Sequence, residues 1–153
     1  DAATDQSAHL ATMLDTPQAW RDDALAARWD RARALRRVVT GALEVKRAEK
    51  FIGSSLEARP ILYAPADALA DLDGLDFADV CIVSDIALVA APPPDGAFTL
   101  DDLAEVGAVV EKAEGAKCAR SRRVGPEVGS VPGYPDLTPR DADAVAWMRA
   151  QAA

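Results

Sequence analysis

The longest regular pattern of hydrophobic positions along this chain lies in residues 22–51. Apolar side chains recur there at steps of three and four residues without an intervening proline; they are Leu25, Trp29, Ala32, Leu35, Val39, Ala42, Leu43 and Val45. This spacing places them on one face of an α-helix. Gly53 follows the last apolar residue, Ile52, and glycine at such a position commonly ends a helix. The pattern predicts one long amphipathic helix that stops at Gly53.

Beyond this helix the hydrophobic segments become shorter and their period changes. Residues 59–63 and 80–84 are rich in branched and aromatic side chains, which is typical of strands. Residues 66–72 between them predict a short helix. This order of elements predicts an α+β fold in which the helical part comes first.

The next apolar run, residues 86–90, ends at a proline-rich segment, 92–96, which predicts a loop or turn. Residues 105–114 fit either a helix or a strand, and we favour a helix or turn that gives way to a strand at Val106. The middle of the chain is therefore expected to form a small mixed subdomain.

The last part of the chain carries the signals of a capped helix. Thr138 precedes Pro139, and Asp141 follows three residues after the threonine, as in an N-terminal cap with proline in the first turn. Val145, Trp147 and Met148 then supply apolar side chains that this helix could bury. We expect three parts: residues 1–57, mainly helical; residues 58–114, a small α+β subdomain; and residues 115–153, a tail.

Length and composition limit what such a chain can be. It has 153 residues, half of them hydrophobic, which suits one compact domain with an appendage rather than a large enzyme. It has no run of 18 apolar residues and no initiator methionine, so we expect no membrane span and a piece of a longer protein. Its two cysteines, Cys81 and Cys118, favour a reducing, cytoplasmic location over a disulfide framework.

Charge is distributed unevenly along the chain. The net charge of -8 argues against a nucleic-acid partner. However, residues 28–59 contain nine basic and four acidic side chains, whereas residues 60–111 contain eleven acidic and no basic ones. This asymmetry predicts that the two segments present opposite faces to a charged partner.

Few residues suggest chemistry of the chain's own. It has no glycine-rich phosphate loop and no nucleophile elbow, and its single histidine, His9, lies far from any recognisable nucleophile or base. We expect His9 to be a surface or docking residue. The residues alone therefore predict a binding or structural module.

Residues 29–58 resemble the end of the anticodon-binding domain of isoleucyl-tRNA synthetases. The resemblance depends on a helix with several matching positions and on the stretch that follows it; the matching residues are Trp29, Arg36, Glu44, Arg47, Lys50 and Ile52-Gly53-Ser54-Ser55-Leu56-Glu57-Ala58. Val80-Cys81-Ile82-Val83-Ser84 and Lys112-Ala113-Glu114-Gly115 agree with later parts of that family. Within this resemblance, residues 1–57 correspond to the end of the anticodon-binding helical domain and residues 115–153 to a degenerate zinc-knuckle region.

The family's C-terminal zinc knuckle is changed in this chain. The resemblance implies four thiolate positions, which fall here at Cys118, Ser121, Thr138 and Asp141. One thiolate cannot hold a structural zinc ion, which prefers four cysteine or histidine ligands. We therefore expect that zinc has been lost and that the C-terminal helix replaces its structural role.

The resemblance implies that this chain makes a non-catalytic contact with isoleucine tRNA. Its other partner would be the rest of a monomeric synthetase chain, which joins isoleucine to its tRNA. ATP and magnesium would belong to the parent catalytic domain, whose signature motifs are absent here. Arginine and lysine bind phosphates and stack on unpaired bases. The candidate RNA contacts are Arg33, Arg36, Arg37, Arg47, Lys50, Arg120, Arg122 and Arg123.

Two alternatives stay open at this point. The arginine stripe can be a solvated helix face, with Arg36 and Arg47 pairing with Glu44. The whole chain can also be a structural or protein-interaction module that docks on the synthetase body and contacts RNA little.

Overall fold

The computed structural model describes residues 15–151, and its longest element is helix α1, Asp23–Ala48. The Asp22 carboxylate caps this helix by accepting a hydrogen bond of 2.8 Å from the Leu25 N–H. The buried face lies in the middle of the helix; it consists of Ala32, Leu35, Val38, Val39, Ala42 and Leu43. The predicted amphipathic helix is confirmed. Leu25 and Val45, expected on the buried face, lie outside this middle segment and are exposed.

Helix α1 ends earlier than predicted, at Ala48 rather than near Gly53. Lys50 has a φ of 60°, its N–H donates to the Arg47 carbonyl, and the Phe51 N–H donates to the Lys46 carbonyl. These two bonds form a Schellman motif, in which lysine occupies the left-handed position that glycine usually takes. The prediction of a stop at Gly53 was therefore wrong.

A four-stranded sheet covers the buried face of α1. Its strands are β1 (Ala58–Ala64), β2 (Ala87–Ala90), β3 (Phe98–Leu100) and β4 (Leu103–Lys112), in the order β2-β1-β4-β3. Strand β1 is parallel to β2 and antiparallel to β4. The strand predicted at residues 59–63 is confirmed, whereas the helix or turn expected before Val106 is already part of β4.

Two short helices connect β1 to β2: α2 (Ala66–Ala70), which confirms the predicted short helix, and α3 (Phe77–Cys81). The strand predicted at residues 80–84 was wrong. The Asp76 carboxylate accepts a hydrogen bond of 3.0 Å from the Asp79 N–H and starts α3, and Ile82 ends it with a φ of 57°. The buried side chains here recur at helical rather than strand spacing. Burial among them raises the pKa of the Cys81 thiol to about 12, so this cysteine is a small, uncharged core residue.

One core joins α1 to the sheet and to α3. Its fully buried members include Val38 and Val39 from α1, Leu62 from β1 and Val106 from β4. Residues on both sides of the boundary expected between residues 57 and 58 contribute to this core. The boundary itself stays a prediction. Helices and a mixed sheet together confirm the α+β class.

The tail forms a second, smaller cluster. It contains the two-stranded sheet of β5 (Ala116–Lys117) and β6 (Val124–Gly125) and the predicted C-terminal helix α4 (Pro139–Gln151). Its core consists of Cys118, Leu137 and Ala142, with Val145 packed against them. Trp147 and Met148 are 66% and 56% exposed, so the expectation that they fill this core was wrong. None of the helices in residues 15–151 is long and apolar enough to cross a membrane.

The degenerate knuckle and the basic surface

The four positions that correspond to the zinc knuckle come together in the structure. The Cys118 thiol donates to Asp141 Oδ2 at 3.0 Å, and the Thr138 hydroxyl donates to the same oxygen at 2.9 Å. Thr138 also caps α4, because its Oγ accepts a hydrogen bond of 3.2 Å from the Asp141 N–H. The carboxylate of Asp141 therefore stands at the centre of these contacts, and the correspondence of the four positions to zinc ligands stays a prediction.

Asp141 is the hub of this arrangement. Its side chain is 7% exposed, and its second oxygen, Oδ1, accepts a hydrogen bond of 3.0 Å from Arg120. Burial raises the pKa of the Asp141 carboxyl, but the polar side chains of Ser121, Cys118, Thr138 and Arg120 outweigh burial and hold the pKa well below its usual range. The carboxylate is therefore charged in the folded protein, and the buried charge is compensated by three hydrogen bonds, of which the one from Arg120 is also an ion pair.

This donor set does not fit a structural zinc ion. Both oxygens of Asp141 already accept hydrogen bonds, one of them from the Cys118 thiol, so a metal ion would have to displace these donors. Ser121 contributes a hydroxyl that is buried without a well-aligned hydrogen bond. Across residues 15–151 no group of three or more histidine, cysteine, aspartate and glutamate side chains is arranged to hold a metal ion.

The candidate RNA-binding arginines of α1 are engaged within the chain. Arg33 pairs with Asp30 at 2.7 Å, Arg37 forms a two-pronged pair with Asp102 at 2.9 and 3.3 Å, and Arg47 pairs with Glu44. The alternative of pairing with Glu44 therefore holds for Arg47. It fails for Arg36, whose Nε donates instead to the Val80 carbonyl at 2.8 Å.

The basic and acidic segments of the sequence meet inside the fold. Arg31 holds Asp71 with two hydrogen bonds of 2.6 and 2.8 Å, and Arg28 donates to backbone carbonyls of Asp71 and Asp73. Together with Arg36 and Arg37, these contacts fasten α1 to residues 60–111. Of the basic side chains of α1, Arg31 and Arg37 form ion pairs with this acidic segment. The expectation that the two segments present opposite faces to a charged partner stays a prediction.

The second candidate patch, in the knuckle, is also partly engaged. Arg120 pairs with Asp141, and Arg123 donates to Asp79 at 2.7 Å and to the Ser84 carbonyl at 3.0 Å. Arg122 has a φ of 67° and an exposed side chain. Of the eight candidates, only Lys50 and Arg122 have side chains without a hydrogen bond or salt bridge to the described part of the chain.

One basic cluster was missed by the sequence analysis. Lys112, at the end of β4, lies with its Nζ 5.2 Å from the centre of the Phe51 ring, just beyond the end of α1. Pairing of β1 with β4 brings these distant positions together, because Ala58 lies opposite Lys112 in the register. Only the correct assignment of β4 could have revealed this proximity. His9, which we expected to be a surface or docking residue, lies outside the described residues.

Comparison with known proteins finds relatives of one kind. No protein-family model matches the chain. An isoleucine–tRNA ligase of Brucella abortus is 51% identical over 145 residues, which cover 94% of this chain and 15% of the relative. Those of Agrobacterium fabrum and Rhodopseudomonas palustris are each 49% identical over 146 and 149 residues, 95% and 94% of this chain and 15% of each relative.

The chain thus spans about 15% of the length of the curated relatives that it matches. The aligned segment covers nearly all of the chain, so it includes the helix, the sheet and most of the tail. This chain is homologous to a C-terminal segment of the isoleucine–tRNA ligases.

Proposed function

We propose that this chain is a non-catalytic part of an isoleucine–tRNA ligase that contacts the anticodon region of isoleucine tRNA. The observation that carries the proposal is the identity of about half of its residues to ligases named for this tRNA. In the parent enzyme, ATP and magnesium would serve a catalytic domain elsewhere in a monomeric, cytoplasmic chain. The partners of this segment would be that remaining chain and the tRNA.

The physical support for an RNA contact is the arrangement of exposed cations. Arg33, Arg37 and Arg47 lie on α1 with side chains 66%, 56% and 41% exposed. Exposed ion pairs of this kind are worth only about 0–1 kcal/mol, so a phosphate can replace the carboxylate partner at little cost. Pairing within the chain therefore does not prevent these arginines from binding RNA, but it weakens the attraction.

The Arg37–Asp102 pair provides a test of this proposal. Arg37→Ala should weaken binding of an isoleucine tRNA transcript and reduce the salt dependence by roughly 0.7 log units per tenfold salt, because one phosphate contact is lost. Asp102→Asn should strengthen binding, because it frees Arg37 from its carboxylate partner. Fluorescence anisotropy at fixed salt measures both. Arg21→Ala, which removes an exposed ion pair before α1, is the matched control and should change little.

A second candidate function is docking on the synthetase body with little RNA contact. The neutralisation of α1 by residues 60–111 favours it, because it lowers the free positive charge of the chain. The same variants separate the two functions. If Arg37→Ala lowers the melting temperature but neither it nor Asp102→Asn alters tRNA affinity, the arginines are structural and the docking function is supported.

We also propose that the knuckle region functions without a metal ion. Its support is the engagement of Cys118 and Asp141 in hydrogen bonds that a bound zinc ion would have to break. Elemental analysis of the purified chain should find less than one tenth of an equivalent of zinc, on the order expected for adventitious metal. A chelator should leave the melting temperature unchanged. Stoichiometric zinc, or melting that responds to the chelator, would contradict this proposal.

A further inference from the structure

The four lysines of the chain lie in two places, at the end of α1 and around the end of β4. Lys46 and Lys50 belong to the end of the helix, and Lys112 and Lys117 come from the end of β4 and from β5. The fold holds them there through Glu57: its carbonyl accepts a hydrogen bond of 2.9 Å from the Ala113 N–H, and its carboxylate pairs with Lys117 at 3.2 Å. Lys46 and Lys112, more than 60 residues apart in sequence, therefore lie beside the same side chain, Phe51.

An exposed aromatic ring lies beside two of these lysines. Phe51 is 40% exposed, and the ammonium nitrogens of Lys46 and Lys112 lie 5.8 and 5.2 Å from its ring centre. Its neighbour Ile52 is 2% exposed and anchors the segment in the core. The Schellman motif at Lys50 fixes the backbone on the other side. The ring is thus held at the surface by rigid structure on both sides.

The cations beside Phe51 are less neutralised than those on α1. Lys46 pairs with Glu49 at 2.7 Å, but neither Lys50 nor Lys112 forms a salt bridge with another residue in 15–151. An external anion can bind either ammonium group without breaking an internal ion pair. The Lys112 ammonium group lies over the Phe51 ring, so it must move off the ring when a base stacks there. This distinguishes them from Arg33, Arg37 and Arg47, each of which must give up a carboxylate partner.

An aromatic ring beside free ammonium groups matches the chemistry of a single-stranded nucleotide. Proteins that bind single strands combine aromatic side chains, on which bases stack, with lysine and arginine side chains that bind the phosphates. A phenylalanine offers no hydrogen bond, so it stacks without selecting a particular base. A duplex cannot use such a ring, because its bases are already stacked on one another.

We infer that Phe51 is a stacking platform for one unpaired base of the bound RNA and that Lys50 and Lys112 hold the adjoining phosphates. The inference rests on the proposed function, because it assumes that the chain binds RNA. It assigns the contact to a phenylalanine and two lysines that lie beyond the end of the arginine-bearing helix. Lys46 supports the ring and shares its charge with Glu49.

The first test replaces the ring while keeping an apolar side chain. Phe51→Leu should weaken binding of an isoleucine tRNA transcript by about 5- to 150-fold, the range for loss of one base–aromatic stack. Phe51→Trp keeps an aromatic face and should bind within a few-fold of the unchanged chain. Trp20→Leu is the matched control, because it removes another exposed aromatic side chain at the opposite end of α1, about 40 Å away. This control should leave the affinity unchanged.

A second measurement detects stacking directly. A short single-stranded RNA containing 2-aminopurine should change its fluorescence when it binds the unchanged chain, because the base leaves its stacked neighbours for the ring, and should change much less with Phe51→Leu. Lys112→Gln should reduce the salt dependence by roughly 0.7 log units per tenfold salt and leave the fluorescence of the bound state unchanged.

The outcomes separate this inference from the proposed function. If the unchanged chain binds no RNA, both are overturned. If the chain binds RNA with salt dependence but Phe51→Leu binds equally well, the inference alone is overturned. In that case a lower melting temperature of Phe51→Leu would assign the lysine contacts with the ring to stability of the helix end.

Discussion

Replacement of Asp141 by asparagine is expected to destabilise the C-terminal tail by about 2–4 kcal/mol, because it removes a buried carboxylate that is the hub of the knuckle. Cys118, Thr138 and Arg120 all donate to this carboxylate, and the asparagine nitrogen would face donors in place of one acceptor oxygen. Arg120 is half-exposed and can return to water, which keeps the loss below that of a fully buried ion pair.

Amide hydrogen exchange would locate this loss of stability. The N–H groups of Cys118 and Ala119 donate to the carbonyls of Arg123 and Asp136, which tie the knuckle to the segment before α4. Their exchange should accelerate in Asp141→Asn, whereas exchange in β1 should change little. Asp143→Asn, an exposed position on the same helix, is the matched control. Equal protection in both variants would contradict the central role of Asp141.

The pH dependence of stability follows from the same carboxylate. Its pKa in the folded protein lies below the value of about 3.9 that it has in the unfolded chain. The unfolded state therefore binds the proton more tightly, and the stabilisation is fully present above about pH 4 and is lost as the pH falls further. We expect the difference in stability between the unchanged chain and Asp141→Asn to shrink below about pH 4.

Replacement of Gly115 by alanine is expected to cost about 3–5 kcal/mol and to separate β5 from β6. Gly115 has a φ of 111°, in a region that residues with a side chain avoid, and an added Cβ would lie 2.2 Å from the Gly125 carbonyl carbon. Gly125 pairs with Ala116 in the register, so the clash falls on the ladder itself. Strain and overlap with rigid backbone therefore add together.

Gly133→Ala is the matched control for this substitution. Gly133 lies in the same tail with a φ of 84°, but no atom lies within 4 Å of the position of an added Cβ. It should cost only the conformational strain, about 1–2 kcal/mol. Urea unfolding of the two variants measures the difference. Equal losses in both would show that the contact with Gly125 relaxes freely, contrary to our expectation.

The sequence predicted elements well where a single strong period governed them. Helix α1, strand β1, helix α2 and helix α4 were all expected from hydrophobic spacing or from a cap. The segment at residues 80–84 was mistaken for a strand because branched side chains dominate it. Instead, the cap at Asp76 starts helix α3 and the left-handed conformation of Ile82 ends it. The composition of residues 80–84 reveals neither feature.

The site was predicted only as far as residue identity carries information. The assignment of four knuckle positions stays a prediction, but hydrogen bonds do join three of those residues, Cys118, Thr138 and Asp141. The partners of the arginines depended on which carboxylates the fold brings near, such as Asp102 for Arg37, 65 residues along the chain. The contact of Lys112 with Phe51 likewise required the pairing of β1 with β4.

We expect this chain, with a net charge of -8, to bind RNA through local clusters of cations. Neutralisation of part of α1 by residues 60–111 leaves these clusters small. We therefore expect few phosphate contacts, with affinity supplemented by stacking on Phe51. This combination distinguishes a selective contact with unpaired nucleotides from general attraction to polyanions.

The most direct test is titration of the unchanged chain with an isoleucine tRNA transcript at about 50 and 200 mM salt. With two to four phosphate contacts, affinity should fall by about 7- to 50-fold over this range. Absence of binding at the lower salt concentration, or an affinity that does not change with salt, would contradict an RNA-binding role and support docking on the synthetase body instead.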